Sequence, residues 1–239
     1  MSGFLNILRF ELRVTFFKPI YLFAAGLFLH FGLLTMAGAA GLFGEGSSAI
    51  GAANSMYAIF SYAGFFNKFF FLLAAVLSGM IQAKDFRHHV GALLYSSPVQ
   101  CHSYVIAKWL AVFLLCLFLV IVFYLGLIAG TLLPGIDATA VLPFEPDRYL
   151  TVFALFTLPN LVIVSVFIFS VVLISRNAYS GFLALVLLLL LREGISRIAG
   201  GGDPGFWFVL ADPLGETLIN YATSGWTPMQ QATQTLPVN

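Results

Sequence analysis

His88, His89, Cys101 and His102 stand close together in the sequence, beside the charged pair Lys84 and Asp85. Side chains of these types hold metals or move protons, so the stretch is where chemistry would first be sought. The spacing argues against it. Adjacent histidines cannot both face one metal from a helix, and Cys101-His102 lies beyond a proline, Pro98. Cys101 and Cys116 are too few and too badly spaced for a disulfide framework or a zinc site, and read as ordinary thiols. The chain has no Gly-x-x-x-x-Gly-Lys-Ser/Thr loop, so it is not itself an ATPase. It also lacks a His-Glu-x-x-His helix and a Gly-x-Ser-x-Gly elbow. No catalytic, cofactor or metal residue is assigned, and an enzyme is not expected.

The same stretch has a pattern suited to recognition. Phe86, Val90, Leu93 and Leu94 fall at i, i+4, i+7 and i+8, one face of a helix. Asp85 is placed to cap its start, and Ser97-Pro98 to end it. The expected element is a short amphipathic helix of about three turns. Its plainer role is a connector resting on the membrane interface. Its functional role is a lever, with Phe86, Leu93 and Leu94 as the packing face and Arg87, His88 and His89 reaching a partner.

Such a lever needs long elements behind it, and the composition says what they are. Charged residues make up 9% of the chain, hydrophobic residues 60%, and 26 residues are phenylalanine. A soluble domain carries about a quarter charged residues. The chain therefore reads as an all-α polytopic membrane protein. About five apolar runs have the length needed to span a bilayer, at Ile20–Phe43, Tyr57–Gln82, Ser103–Leu133, Tyr149–Ile174 and Ala178–Ala199. They lack two-residue alternation, and lipid cannot satisfy open backbone groups, so helices are required.

Three regions follow. Residues 1–19 form an interfacial helix with Asn6, Arg9 and Arg13 on one stripe and Phe4, Leu8 and Leu12 around the rest, ended near Lys18-Pro19. This segment reads as a retained anchor rather than a cleaved signal. Residues 20–199 form the membrane domain, with the lever in the loop 83–102. Residues 200–239 are rich in Gly, Pro and polar groups and read as an outer-face segment. With the N-terminus inside, inner segments hold Arg9, Arg13, Lys18, Lys84, Arg87, Lys108 and Arg176, and outer ones only Arg148, Arg192 and Arg197. The positive-inside rule then favours a cytoplasmic N-terminus. A net charge of +1, with no basic run, gives no sign of nucleic acid.

Charges within the spans are the candidates for a polar pathway. Lys68, next to Asn67, lies in span two, where a lysine at mid-bilayer costs about 2.5–3.5 kcal/mol. It either snorkels to the headgroups or lines a path. Arg192, Glu193 and Arg197 close span five, either as an interfacial cluster or as an exit lining. His30 in span one reads as an interfacial or hydrogen-bonded histidine.

One resemblance brings these pieces together. Glu11-Leu12-Arg13 precedes span one, and Asp85-Phe86 leads to Leu93-Leu94-Tyr95-Ser96-Ser97-Pro98, then Tyr104 and Lys108. Asp212-Pro213-Leu214-Gly215 and Trp226-Thr227 follow span five. Together these motifs resemble the membrane subunit of type-2 ABC exporters, closest to the N-terminal membrane half of bacterial permease/zinc-aminopeptidase fusion proteins. The resemblance covers most of the chain and is more specific in the loop than in the spans. It implies that Asp85–Pro98 is a coupling loop gripping a separate nucleotide-binding ATPase subunit, where ATP and magnesium would sit. It also implies a dimer of membrane halves in a bacterial cytoplasmic membrane. The family has six spans per half where five are visible here, and nothing resembles the peptidase domain. Two other readings stay open: a non-transporting scaffold, and a secondary transporter. The latter usually carries more polar groups at the midplane.

Overall fold

The computed structural model describes residues 2–44, 52–87, 101–199, 214, 219–220 and 223–234. Helix α1 spans Ser2–Phe16, α2 Pro19–Ala39, α3 Met56–Arg87 and α4 Cys101–Gly130. A single 3-10 turn at Ala138–Ala140 precedes α5 at Pro146–Val152. A π-helical turn, Phe153–Thr157, joins α5 to α6 at Leu158–Ser175. Helix α7 covers Ser180–Ala199 and α8 Pro228–Thr233. The described residues thus form an all-α bundle, with one isolated bridge pairing Ala53 and Val141.

Four of these elements are long and apolar enough to cross a membrane: Pro19–Ala39, Met56–Asp85, Cys101–Gly130 and Pro146–Ser175. The expected fifth span differs. Helix α7 forms where it was expected, but its apolar run stops at Leu191, and Arg192, Glu193 and Arg197 occupy its last turns. That run is short of the roughly 20 residues a full crossing needs. Span four also differs, since a π turn interrupts it just before Pro159. Proline has no N–H to return to the preceding turn and crowds its carbonyl, so the helix widens there.

The helices alternate in direction. Helix α1 lies at one end, beside the close of α3 and the opening of α4. At the far end, the Asp137 amide donates to the Ala40 carbonyl (2.9 Å), and the Ala53 amide donates to the Ala140 carbonyl (3.0 Å). Leu8, Leu12 and Phe16 turn the apolar face of α1 onto the core, leaving Arg9 and Arg13 exposed.

Helices α2 and α4 cross backbone against backbone. A Cβ on Gly32 would collide with the Phe123 carbonyl oxygen, one on Gly126 with that of Leu29, and one on Gly130 with that of Leu33. Gly126 and Gly130 are a small-x-x-x-small pair, the pattern that allows membrane helices to approach closely where no hydrophobic effect drives them together. Aromatic rings fill the space beyond. Phe66 meets Phe123 at 4.5 Å between centroids, Phe28 meets Phe70 at 4.9 Å, and Phe60 meets Phe156 edge-on at 4.6 Å. Such pairs add about 0.5–1.5 kcal/mol each beyond area burial.

Candidate functional site

Four charged groups meet at the α1 end, at the roots of the two helices that flank residues 88–100. Lys108, seven residues into α4, places its ammonium 2.5 Å from Asp85 Oδ1 and 3.4 Å from Glu11 Oε1. It also donates to the Ile81 carbonyl at 3.5 Å. Lys84 donates to Glu11 Oε2 at 3.2 Å, and the Tyr104 hydroxyl donates to Asp85 Oδ2 at 3.0 Å. The Lys108 ammonium stands 4.8 Å from the centre of the Tyr104 ring, within cation–π range. The side chains of Lys108 and Glu11 are only 4% and 5% exposed.

Helix geometry explains the convergence. Lys84 and Asp85 sit in the last turn of α3, Tyr104 and Lys108 four apart on one face of α4, and Glu11 on the buried face of α1. Removing two carboxylates and an ammonium from water is costly, and mutual pairing offsets that cost rather than adding much net stability. Losing Lys108 leaves buried Glu11 with only Lys84 and Asp85 with only Tyr104. The cluster therefore acts as a clasp that fixes where α1 sits against α3 and α4. A cavity of ≈ 450 Å³ opens beside it, lined by Asn6 and Phe10 as well as the charged groups.

The structure separates the residues singled out from the sequence. Asp85, Phe86 and Arg87 continue α3 instead of starting a new helix, so Asp85 is not a helix cap; its carboxylate is held by Lys108 and Tyr104. His88, His89, Val90, Leu93, Leu94 and Pro98 lie outside the described residues. Lys68 is half-buried on α3, with no hydrogen bond or ion pair among the described residues. Arg192 faces inward at 9% exposed, whereas Glu193 and Arg197 pair with each other on the surface at 3.1 Å. Those three residues do not form one cluster. His30 lies on the exposed side of α2.

A second polar assembly closes the far end. Asn54 has a left-handed backbone (φ 65°), a conformation asparagine tolerates better than most residues. Its side chain donates to the Leu142 carbonyl at 3.0 Å and accepts from the Tyr149 hydroxyl at 2.5 Å. Arg148 donates to the Asn54 carbonyl at 3.2 Å. Nearby, Asn160 donates to the carbonyl of Leu214 at 2.9 Å, and Trp226 packs beside Tyr57 with ring centres 6.3 Å apart. Parts of the C-terminal region thus lie at the end opposite the clasp.

From the sequence, Glu11 and Tyr104 enter only as carriers of the resemblance and Lys108 also as an inner-side positive charge, and the clasp they form is missed. The signal was available: a lysine one or two turns inside an apolar span needs a carboxylate, and few acids lie within reach. Compared with protein-family models, characterised proteins and solved structures, the chain matches none.

Proposed function

We propose that this chain is the membrane half of an ATP-driven exporter of the type-2 ABC class. It would form the translocation path with a second membrane half in a bacterial cytoplasmic membrane, with α1 on the cytoplasmic side. A separate nucleotide-binding subunit grips residues 85–98 and supplies the energy of ATP hydrolysis. The observation that carries this reading is the clasp: both helices leading into and out of residues 88–100 are tied at their roots to each other and to α1. A push on that loop moves α3, α4 and α1 as one body, which is what a coupling element needs. Coupling further requires the loop to contact the ATPase differently in its two nucleotide states.

The positive charge is biased in support, since Arg9, Arg13, Lys18, Lys84, Lys108 and Arg176 fall at the clasp end against Arg148 at the far one. The test is capture of the chain from its own membranes in mild detergent, followed by photolabelling with azido-ATP and an ATPase assay. A co-purifying ATP-binding subunit is expected, lost or uncoupled in Phe86→Asp and Leu93→Asp. A partner that binds without ATP-dependent substrate movement would favour a scaffold. Unchanged recruitment and transport in both variants would remove the lever.

A further inference from the structure

Three polar side chains fall on one face of α3 and are sealed inside the bundle. Asn67, Ser78 and Gln82 are 4%, 0% and 1% exposed. Ser78 lies about three turns beyond Asn67, and Gln82 about one turn beyond Ser78, so the three stand in line. Each keeps an atom with no hydrogen-bond partner among the described residues: Asn67 Nδ2, Ser78 Oγ and Gln82 Oε1. Ser61, Ser165 and Ser175 donate their hydroxyls to carbonyls one turn back in their own helices. The Ser78 hydroxyl makes no such bond. Gln82 shows which way the line faces, because its amide donates to the Phe169 carbonyl of α6 at 3.0 Å.

The neighbours of this line are small. Ala75 and Gly79 flank Ser78 and touch the start of α7. A Cβ on Gly79 would come within 2.9 Å of the Ala178 carbonyl oxygen, and one on Gly181 would stand 3.4 Å from that of Ala75. Small residues let the helix backbones close up here. Closing them has a cost, since a buried polar atom without a partner forfeits the hydrogen bonds it made in water. Three such atoms in one line weigh against the packed arrangement. Water would satisfy all three: the Asn67 amide needs an acceptor, the Gln82 carbonyl a donor, and the Ser78 hydroxyl takes either.

We propose that the seam between α3 and the α6–α7 pair opens to water, and that Asn67, Ser78 and Gln82 line a polar path inside this chain's own bundle. The packed seam is its closed state, and water is the occupant of the open one. The path starts beside the clasp, since Gln82 lies two residues before Lys84. The inference rests on the membrane reading of the helices and is independent of any partner ATPase.

The experiment uses the full chain carrying Cys101→Ser in proteoliposomes, and compares the thiol of Ser78→Cys with native Cys116, buried in α4. The probe is trimethylammonium-ethyl methanethiosulfonate, a permanently charged reagent that attacks thiols in water and not in lipid, applied to both faces of the membrane. Peptide mass locates the modified sites. The Ser78→Cys thiol is expected to react at least about tenfold faster than Cys116. Asn67→Leu removes an unmet donor and no bond among the described residues. It is expected to slow the Ser78→Cys reaction about tenfold by favouring the closed seam, at an unchanged or higher unfolding temperature. Equal rates at Ser78→Cys and Cys116 would overturn the proposal, and so would a rate that Asn67→Leu leaves unchanged. Lower unfolding temperatures in both Asn67→Leu and Ser78→Ala would also overturn it, because groups fully bonded in a fixed core behave that way.

Discussion

Lys108 of α4 and Glu11 of α1, 97 positions apart in sequence, meet at 3.4 Å with almost no solvent contact. The pair adds a buried polar tie to the apolar packing of Leu8, Leu12 and Phe16 that holds the first helix on the bundle. Replacing Lys108 with methionine keeps the volume but leaves Glu11 with Lys84 alone and Asp85 with only Tyr104. Breaking a buried pair in this way costs about 3–5 kcal/mol. The expected outcome is a clear drop in thermal unfolding temperature in detergent, with Lys84→Met, at the more exposed partner, falling much less.

The α2–α4 crossing makes a second, purely steric prediction. Gly126→Val would drive a side chain into the Leu29 carbonyl, and overpacking of that kind costs about 1–3 kcal/mol or more. Gly26 lies in α2 with nothing within 4 Å of a built Cβ. Gly26→Ala should therefore be neutral or gain about 0.5–1 kcal/mol from helix propensity. Parallel melts of the two variants, read by tryptophan fluorescence in the same detergent, check the contrast.

At the far end, Asn54 combines an unusual backbone with two side-chain bonds. Asn54→Gly keeps the left-handed conformation and loses the bonds, whereas Asn54→Val loses both. Glycine should cost about 1–3 kcal/mol for the unsatisfied Tyr149 hydroxyl and Leu142 carbonyl, and valine distinctly more. Tyr149→Phe should fall near the glycine variant. Denaturant titration of the three ranks them.

Asp137 offers a pH dependence confined to one turn. Its carboxylate accepts from the Thr139 hydroxyl and amide (2.7 and 2.9 Å), which hold its pKa below the ordinary carboxylate value of 3.8. A depressed folded value means the interaction is fully present above the unfolded pKa and lost as pH falls through the folded one. Thr139 amide protection, measured relative to Asp137→Asn by hydrogen exchange, should therefore persist at pH 5 and converge with the variant only in stronger acid. Convergence already near neutral pH would contradict the assignment.

The spans were legible because apolar runs of that length have few alternatives, and the helices α2, α3 and α4 form close to where hydropathy put them. Hydropathy failed where charge is satisfied inside the protein. It ended the second span at Gln82, because Lys84 and Asp85 looked like loop residues. The helix runs on to Arg87, since Glu11, Tyr104 and Lys108 pair with them. It counted a fifth crossing in α7 by including Arg192, Glu193 and Arg197 in an apolar run that ends before them. Gly126 and Gly130 were readable as a packing motif, but their partner, Gly32, is known only once α2 and α4 are side by side. The Glu11–Lys108 pairing is a tertiary fact with no local signature.

In the proposed function the clasp, and the loop it anchors, face the cell interior, where a nucleotide-binding partner can reach them. Cys101 is exposed at the first residue of α4, beside that loop, and Cys116 is buried deeper in the same helix, so the native thiols report on it without engineering. A membrane-impermeant maleimide should label Cys101 in inside-out vesicles and leave it unlabelled in right-side-out ones, with Cys116 reacting only after denaturation. Labelling of Cys101 in right-side-out vesicles would place the loop on the outer face, where no nucleotide-binding subunit could grip it.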